Sequence, residues 1–454
     1  MREGEDPRRS IPSMAELLES EEAAALAARH SRGVAIEALR AAADEARRYP
    51  ERGTGAGAIL ERARLRLEAA ELDRLRPVVN ATGILLHTGL GRAVLPAAAA
   101  AGLAQMDRCC NLQIDLESGK RGKRNYESER LVCELTGAEA ALVVNNNAAA
   151  TFLILAALCR GKEVVVSRGE LIEIGGSYRL PDCVTASGAL LREVGTTNKT
   201  HLRDYEGAIG ENTGALLRVN PSNYRVIGFS KRVELGELAG LAKKRGTLLI
   251  DDLGCGALVD LSAYGLSREA LVRDSIEAGA DVVCFSGDKL IGGPQAGIVA
   301  GKKALIDKIR KHPLTRMLRV CKLTDVALER TLRLFREPER LAETHPLYAM
   351  LAKKPAELRA AAEALAAAIG AEASVEVGFS EMGGGALPGV EIPTALVAIR
   401  SARVSPLEIA RRMRCREVPV VARVQGERVV LDVRTLLDGE SETAAEAAKE
   451  ALHG

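Results

Sequence analysis

Apolar residues recur at helical spacing from Met14 to about residue 76, and no strand-like run interrupts them. MAELLESEEAAALAARH, VAIEALRAAADEARRY and AGAILERARLRLEAAELDRLR read as helices, with a loose joint at Gly53 to Gly57 between the last two. The texture changes at Pro77. Residues 78–96, VVNATGILLHTGLGRAVLP, are rich in glycine and small polar residues, the composition of a loop system rather than of a core element. Short apolar runs then alternate with helix-like segments. Strands are predicted at Ala140–Val144, Glu163–Ser167, Leu190–Val194, Ala215–Val219, Thr247–Asp251 and Asp281–Phe285, and a helix at Glu234–Arg245. Such alternation predicts the α/β class, with a largely parallel sheet flanked by helices. From about Pro338 a smaller α/β unit is predicted. It reads as a helix at Pro355–Ile369, a glycine-rich stretch SEMGGGALPGVE, a strand ALVAIRS, a helix at Pro406–Met413 and a hairpin VPVVARVQGERVVLDV. The chain therefore divides into residues 1–76, 77–337 and 338–454.

Composition narrows what such a chain does. At 454 residues with 47% apolar content it can bury a large core, while its net charge of +2 leaves polyanion affinity to local patches. Tryptophan is absent and aromatics make up 3%, so few platforms exist for stacked bases. The nine cysteines show neither CxxC pairs nor alternation with histidine, which argues against zinc and against a disulfide framework. No stretch has the apolar length of a membrane helix and the first residues lack a signal-peptide core, so a soluble cytoplasmic protein is expected.

The candidate chemistry sits at strand ends. Ala280 to Phe285 is almost wholly apolar, as for a strand covered on both faces, and gives way abruptly to Ser286-Gly287-Asp288-Lys289. An amine at such a place is partly desolvated, which favours its neutral, nucleophilic form; this is the setting of a Schiff-base lysine. Ser286 can donate its hydroxyl to a phosphate, and Gly292-Gly293-Pro294 permits close backbone approach. Alone, the stretch reads equally well as an ordinary lysine at a strand end. Asn145-Asn146-Asn147-Ala148 stands between a strand and a helix, where free N–H groups can cup a phosphate or asparagine can simply cap a turn. The predicted strand that starts at Thr247 ends in Asp251-Asp252-Leu253-Gly254; a carboxylate there can pair with the protonated ring nitrogen of pyridoxal phosphate, or cap a turn. Arg92 can reach an anion or pair with a local carboxylate. Arg316 and Arg319 share a face if their segment is helical, and can then grip one anion together. Lys120, Arg121, Lys123 and Arg124 crowd one loop, as a solvated patch or as a seat for a large anionic substrate.

Together these stretches resemble the bacterial selenocysteine synthase family, the L-seryl-tRNA(Sec) selenium transferases, over nearly the whole chain. NATGILLHTGLGRA, NLQIDLESGKRGKR, VVNNNAAA, EVGTTNKT, SNYRVIGF, DLGCG and SGDKLIGGPQAG carry the resemblance. Gly89 stands where asparagine is usual, and Asn220-Pro221 precedes SNY where His-Thr is expected. The resemblance implies a fold-type-I, aspartate-aminotransferase-like pyridoxal phosphate enzyme, with a large domain, a small C-terminal α/β domain and an N-terminal helical module. It implies that Lys289 ties down the cofactor and that Asp252 is the ring-nitrogen partner, beside Ser286, Asn146, Asn147 and Ala148 as further cofactor contacts. Arg92, Arg316 and Arg319 are implied to hold the selenium donor, and Asp288 to be an acidic neighbour needed for activity. The implied reaction takes seryl-tRNA(Sec) through a dehydroalanyl ester to selenocysteinyl-tRNA(Sec), with selenophosphate as donor. The helical module is implied to recognise tRNA, and the assembly to be a homo-oligomeric ring of dimers, with a decamer the expected size.

Two other readings compete. A lyase of the same fold acting on a small amino acid or amino sugar phosphate would have no use for the first 76 residues. A tRNA-binding scaffold that has lost catalysis would have no use for Lys289 and its partners.

Overall fold

The structure is a computed structural model that describes residues 6–71 and 75–453. They fall into two compact units that meet in sequence between Pro77 and Val78. In the first unit, helices Met14–Leu18, Glu21–His30, Arg32–Arg48 and Ala56–Glu71 turn apolar stripes toward one another, burying Leu17, Leu39, Ile59 and Leu67 among alanines. The single run expected over residues 14–30 is broken after Leu18. Ser13 forms a capping box with Glu16, and Ser20 accepts the N–H of Ala23, so each serine starts a separate helix. The last helix was expected to continue to residue 76; residues 72–74 lie outside the described residues.

The second unit contains two main sheets. Their strands are β1 (Val79–Ala81), β2 (Ala140–Val144), β3 (Glu163–Ser167), β4 (Leu190–Val194), β5 (Thr213–Val219), β6 (Leu248–Gly254), β7 (Val282–Ser286), β8 (Gly297–Gly301), β9 (Ala373–Gly383), β10 (Ala386–Ile399), β11 (Val420–Gln425) and β12 (Arg428–Asp432). The large sheet runs in the order β2-β8-β7-β6-β5-β3-β4. Neighbours pair in parallel except β8, which lies antiparallel to both β2 and β7. Successive side chains of one strand point to opposite faces. Leu216, Leu249, Val283 and Phe285 accordingly enter one core, while Leu217, Ile250, Val282 and Cys284 enter another. Apolar residues on both faces explain why these strands read as unbroken hydrophobic runs.

The small sheet, β1-β11-β12-β10-β9, packs against helices Pro355–Ile369, Pro406–Arg414 and Glu440–His453. Two boundaries differ from expectation. Val79–Ala81, read as loop, pairs in parallel with β11 because its alternating Val79 and Ala81 are buried in the small-domain core. Residues 341–351, assigned by sequence to the small domain, instead place Leu341, Leu347, Tyr348 and Leu351 in a core of the large sheet. The glycine-rich SEMGGGALPGVE is given no element by its sequence pattern. It is the turn of a long β9–β10 hairpin, with Gly383, Gly384 and Gly385 all left-handed.

One side-chain clamp fixes the turn after Lys289. His345 is buried, and its Nδ1 accepts the N–H of Leu347, so Nε2 carries the proton and donates to the Ile291 carbonyl at 2.9 Å. The Tyr348 hydroxyl donates to the Leu290 carbonyl at 2.8 Å. Gly292 lies against the imidazole with φ of 66°, where a Cβ would collide with the ring. Burial lowers the His345 pKa from 6.5 to about 4, against the raising effect of its bond to Ile291. Because the folded value is depressed, this stability is complete above about pH 6.5 and is lost as pH falls toward 4. The loss is worth about 3 kcal/mol at most. Denaturant unfolding of the wild type and of His345→Gln between pH 7 and pH 4 is expected to show that extra acid loss in the wild type alone; parallel profiles would contradict it.

Candidate active site

Four strand ends build the site from one edge of the large sheet. β2 delivers Asn146 and Asn147, β5 delivers Asn220, β6 delivers Asp252, and β7 delivers Ser286, Asp288 and Lys289. In open α/β sheets the carboxyl ends of strands are where ligands collect. Arg92 and Ala148 complete the sequence-predicted part of the wall of a cavity of about 280 Å³. Gly297, at the start of β8, admits this arrangement: a Cβ there would overlap the Asn146 carbonyl oxygen.

The Asp252 carboxylate is withdrawn from solvent, and burial pushes its pKa up. Three donors work against that shift. Asn147 Nδ2 donates to Oδ1 at 2.7 Å, the Thr151 hydroxyl to Oδ2 at 2.8 Å, and the Gly254 N–H to Oδ1 at 3.0 Å. The Lys289 charge adds to them. Asn147 and Thr151 occupy one face of the helix Asn147–Leu158, four residues apart. Its neighbour Asp251 is committed elsewhere: it accepts from Arg218 Nη1 at 2.9 Å and from the Ser275 hydroxyl at 2.7 Å. Alternation along β6 thus assigns the two aspartates opposite faces and different tasks.

Lys289 is 6% exposed. A methyl group placed on Gly385, in the small-domain hairpin, would lie 3.9 Å from its Nζ. Cys255 Sγ donates to the Gly385 carbonyl at 3.1 Å, so a side chain of the large domain fastens the main chain of the hairpin turn over the lysine. Asp288 accepts from Arg92 Nη1 at 2.7 Å. Arg92 holds φ of 64°, a conformation that costs a non-glycine residue on the order of 1 kcal/mol or more and that concentrates at functional sites. The strain aims its guanidinium at Asp288 and the cavity.

Arg316 and Arg319 are not brought into this wall. The helix Pro313–Met317 ends before Arg319, so the two do not share a helical face, and both are exposed. Arg319 instead bridges Val144 in extended conformation, and the Leu318 carbonyl accepts the Asn145 N–H at 2.9 Å. Arg319 therefore flanks the asparagine turn from outside the cavity lining. Other residues of the site escaped the sequence reading. Thr151 was detectable as the i+4 partner of Asn147. Tyr178, a lining residue whose phenol pKa is raised by burial, projects from a two-residue pairing with no strand signal.

The arrangement fits pyridoxal phosphate. An amine is present for its aldehyde, and a buried carboxylate with a remaining lone pair for its ring nitrogen. Asn147 Oδ1 is buried without a partner on the same side. The first-turn N–H groups of Asn147 and Ala148 lack helical partners, as the opening N–H groups of any helix do, and suit a phosphate. Among the described residues no cluster of side chains suits a metal ion, no helix is long and apolar enough to cross a membrane, and the nine cysteines are unpaired.

Comparison with known proteins places this geometry. The D-glucosaminate-6-phosphate ammonia-lyase structure superposes with a TM-score of 0.60 at 19% identity, covering 86% of this chain and 98% of that one, which establishes the fold-type-I architecture. L-seryl-tRNA(Sec) selenium transferase of Geobacter sulfurreducens is 45% identical over 97% of this chain and 98% of the relative. The Moorella thermoacetica protein of the same name is 48% identical over 86% and 84%. The profile of the selenocysteine synthase N-terminal region matches residues 8–47, and that of L-seryl-tRNA selenium transferase matches residues 78–437. The chain belongs to the L-seryl-tRNA selenium transferase family.

Proposed function

We propose that the protein converts seryl-tRNA(Sec) to selenocysteinyl-tRNA(Sec), with pyridoxal phosphate as cofactor and selenophosphate as donor, in the cytoplasm and as a ring of dimers, a decamer. The observation that carries this reading is the buried Lys289, set in one cavity with the buried Asp252 and the Arg92–Asp288 pair. Pyridoxal phosphate, when bound, supplies an aldehyde for an amine and a ring that takes up the electron pair left at Cα. Lys289 would hold it through the aldehyde, Asp252 through the ring nitrogen, and Ser286 with the Asn146–Ala148 turn through the phosphate.

The Lys289 amine would also be the base placed to take the serine Cα proton. The serine carboxyl is esterified to RNA, so no arginine is required to recognise a free carboxylate. Arg92 is left for a phosphate-like donor, a task that suits a planar guanidinium fork, and Asp288 positions it. Arg319, beside the asparagine turn, and Arg316, in the short helix before it, extend the positive field toward the same anion. In the net reaction oxygen and selenium change places between the serine β-carbon and the phosphoryl group. The lyase reading has no role for the helical unit, whereas tRNA recognition gives it one.

Incubating the protein with seryl-tRNA(Sec) and selenophosphate, then releasing the esterified amino acid, is expected to yield selenocysteine; recovery of serine alone refutes the proposal. Replacing both Arg316 and Arg319 with alanine is expected to block selenium incorporation at least about a hundredfold while the borohydride-reducible visible band of the cofactor remains. Unchanged turnover would remove the pair from donor binding. Deleting residues 1–60 is expected to abolish tRNA(Sec) binding with that band intact, and undiminished affinity would take the helical unit out of recognition.

A further inference from the structure

A second carboxylate is wholly withdrawn from water, and no step of the reaction uses it. Asp432 ends β12 in the small domain, is 0% exposed, and gathers donors from separate stretches of chain. Its Oδ2 accepts the Ser380 hydroxyl of β9 at 2.8 Å, and its Oδ1 accepts the Thr394 hydroxyl of β10 at 2.8 Å and the Arg434 N–H at 3.0 Å. Arg423 Nη2, from β11, lies 3.5 Å from Oδ2. Each oxygen thus faces one group that can only donate, so an amide in this place would have to turn its NH2 toward one of them. A buried charge is seldom kept for stability alone, because a well-packed apolar group serves as well.

The loop after β1 reaches the same carboxylate. Gly83 stands against it with φ of 73°, where a Cβ would overlap Oδ2, and its N–H donates to the Thr435 hydroxyl at 3.0 Å. From there the loop is laid along β9. The Glu381 N–H donates to the Gly83 carbonyl at 2.8 Å, the Leu85 N–H to the Glu381 carbonyl at 3.0 Å, and the Leu86 N–H to the Met382 carbonyl at 2.8 Å. Arg92, whose guanidinium Asp288 accepts, is reached six residues after Leu86. On β9 itself, Ser380 stands five residues before Gly385, which Cys255 holds over Lys289. Past that turn, Leu387 and Pro388 form part of the wall of a second cavity, which shares Asn220 with the first. Arg434 Nη1 donates to the Met350 carbonyl at 2.7 Å, on the helix whose Tyr348 holds the lysine turn.

We propose that Asp432 is a positioning residue for the reaction, the common anchor that sets the loop carrying Arg92, the hairpin over Lys289 and the Tyr348 helix in one frame. The guanidinium and the amine keep their spacing because their supports meet at this one acceptor. Only the kinetic part of the test rests on the selenium-transfer reading.

The test uses the full-chain holoenzyme and two readouts, hydrogen exchange resolved by peptide and steady-state kinetics. Asp432→Asn, which keeps the shape, is expected to speed exchange about tenfold in residues 83–92 and 380–386 together, the factor that one lost buried hydrogen bond carries, with residues 396–399 unchanged. The kcat for selenocysteine formation is expected to fall at least about tenfold with the cofactor band retained, and the KM for selenophosphate to rise. Thr394 separates positioning from packing, since Thr394→Val keeps the volume and loses the donor while Thr394→Ser does the reverse. Thr394→Val is expected to reproduce the Asp432→Asn changes, and Thr394→Ser to stay within about twofold of wild type in both readouts. A harmless Thr394→Val beside a damaging Thr394→Ser would overturn the proposal, and this pair decides alone if Asp432→Asn does not fold. Faster exchange throughout the small sheet, or none in residues 83–92, would overturn it as well. Exchange needs no turnover: if it responds as stated while the wild type makes no selenocysteine from seryl-tRNA(Sec), the preceding reading fails and the anchor stands.

Discussion

A carboxylate removed from water is the condition that the C-terminal unit is built to satisfy. Asp252 sits where a buried strand ends, and an isolated charge there would cost several kcal/mol. The chain meets it with an amide and a hydroxyl from one helix, a main-chain N–H from the next turn, and an amine from the adjacent strand end. Each donor constrains another element. The helix carrying Asn147 and Thr151 must start close against β8, which Gly297 permits, and the lysine turn must be held by His345 and Tyr348. The acid, the base and the anion cup are thus parts of one solution to a desolvation problem, and the chemistry proposed for the family uses the same charges.

Much of this was legible from residue order. Runs such as Val282–Phe285 are apolar at every position because both faces are covered, and that signal placed the ends of the inner strands within three residues. The strand-end position of Lys289 and the asparagine turn followed from those runs. What hydrophobic pattern could not convey was direction: nothing in Gly297–Gly301 marks it as antiparallel, since direction is set by how short the connection from β7 is. Nor could it assign Asp251 and Asp252 their separate faces until the register of β6 was known. Arg316 and Arg319 were read as neighbours on a helix because a spacing of three suits one, but the helix stops at Met317 to let Arg319 bridge β2. Residues that act through long-range packing, such as Tyr178 and His345, left no local periodic trace.

Access to the amine is governed by backbone. Three consecutive left-handed glycines turn the β9–β10 hairpin so that main-chain atoms, not side chains, lie over Lys289, and Cys255 secures that turn. The hairpin then passes on through Leu387 and Pro388 into the wall of the neighbouring cavity. One element of the small domain therefore touches both the lysine pocket and the cavity beside it, so a shift of that domain is felt at both together.

The parallel pairing of β1 with β11 has a consequence for how the polypeptide is made. Val79 emerges from the ribosome long before Val420, the residue beside it in the ladder, and the whole large domain is synthesised in between. The nascent chain carries β1 with its main-chain groups unanswered while the large sheet completes itself. Any chain released early keeps an open strand edge of the kind that recruits other molecules. Closure of the small domain is in this sense a check on completeness, since no product lacking residues 420–425 can seat its own first strand.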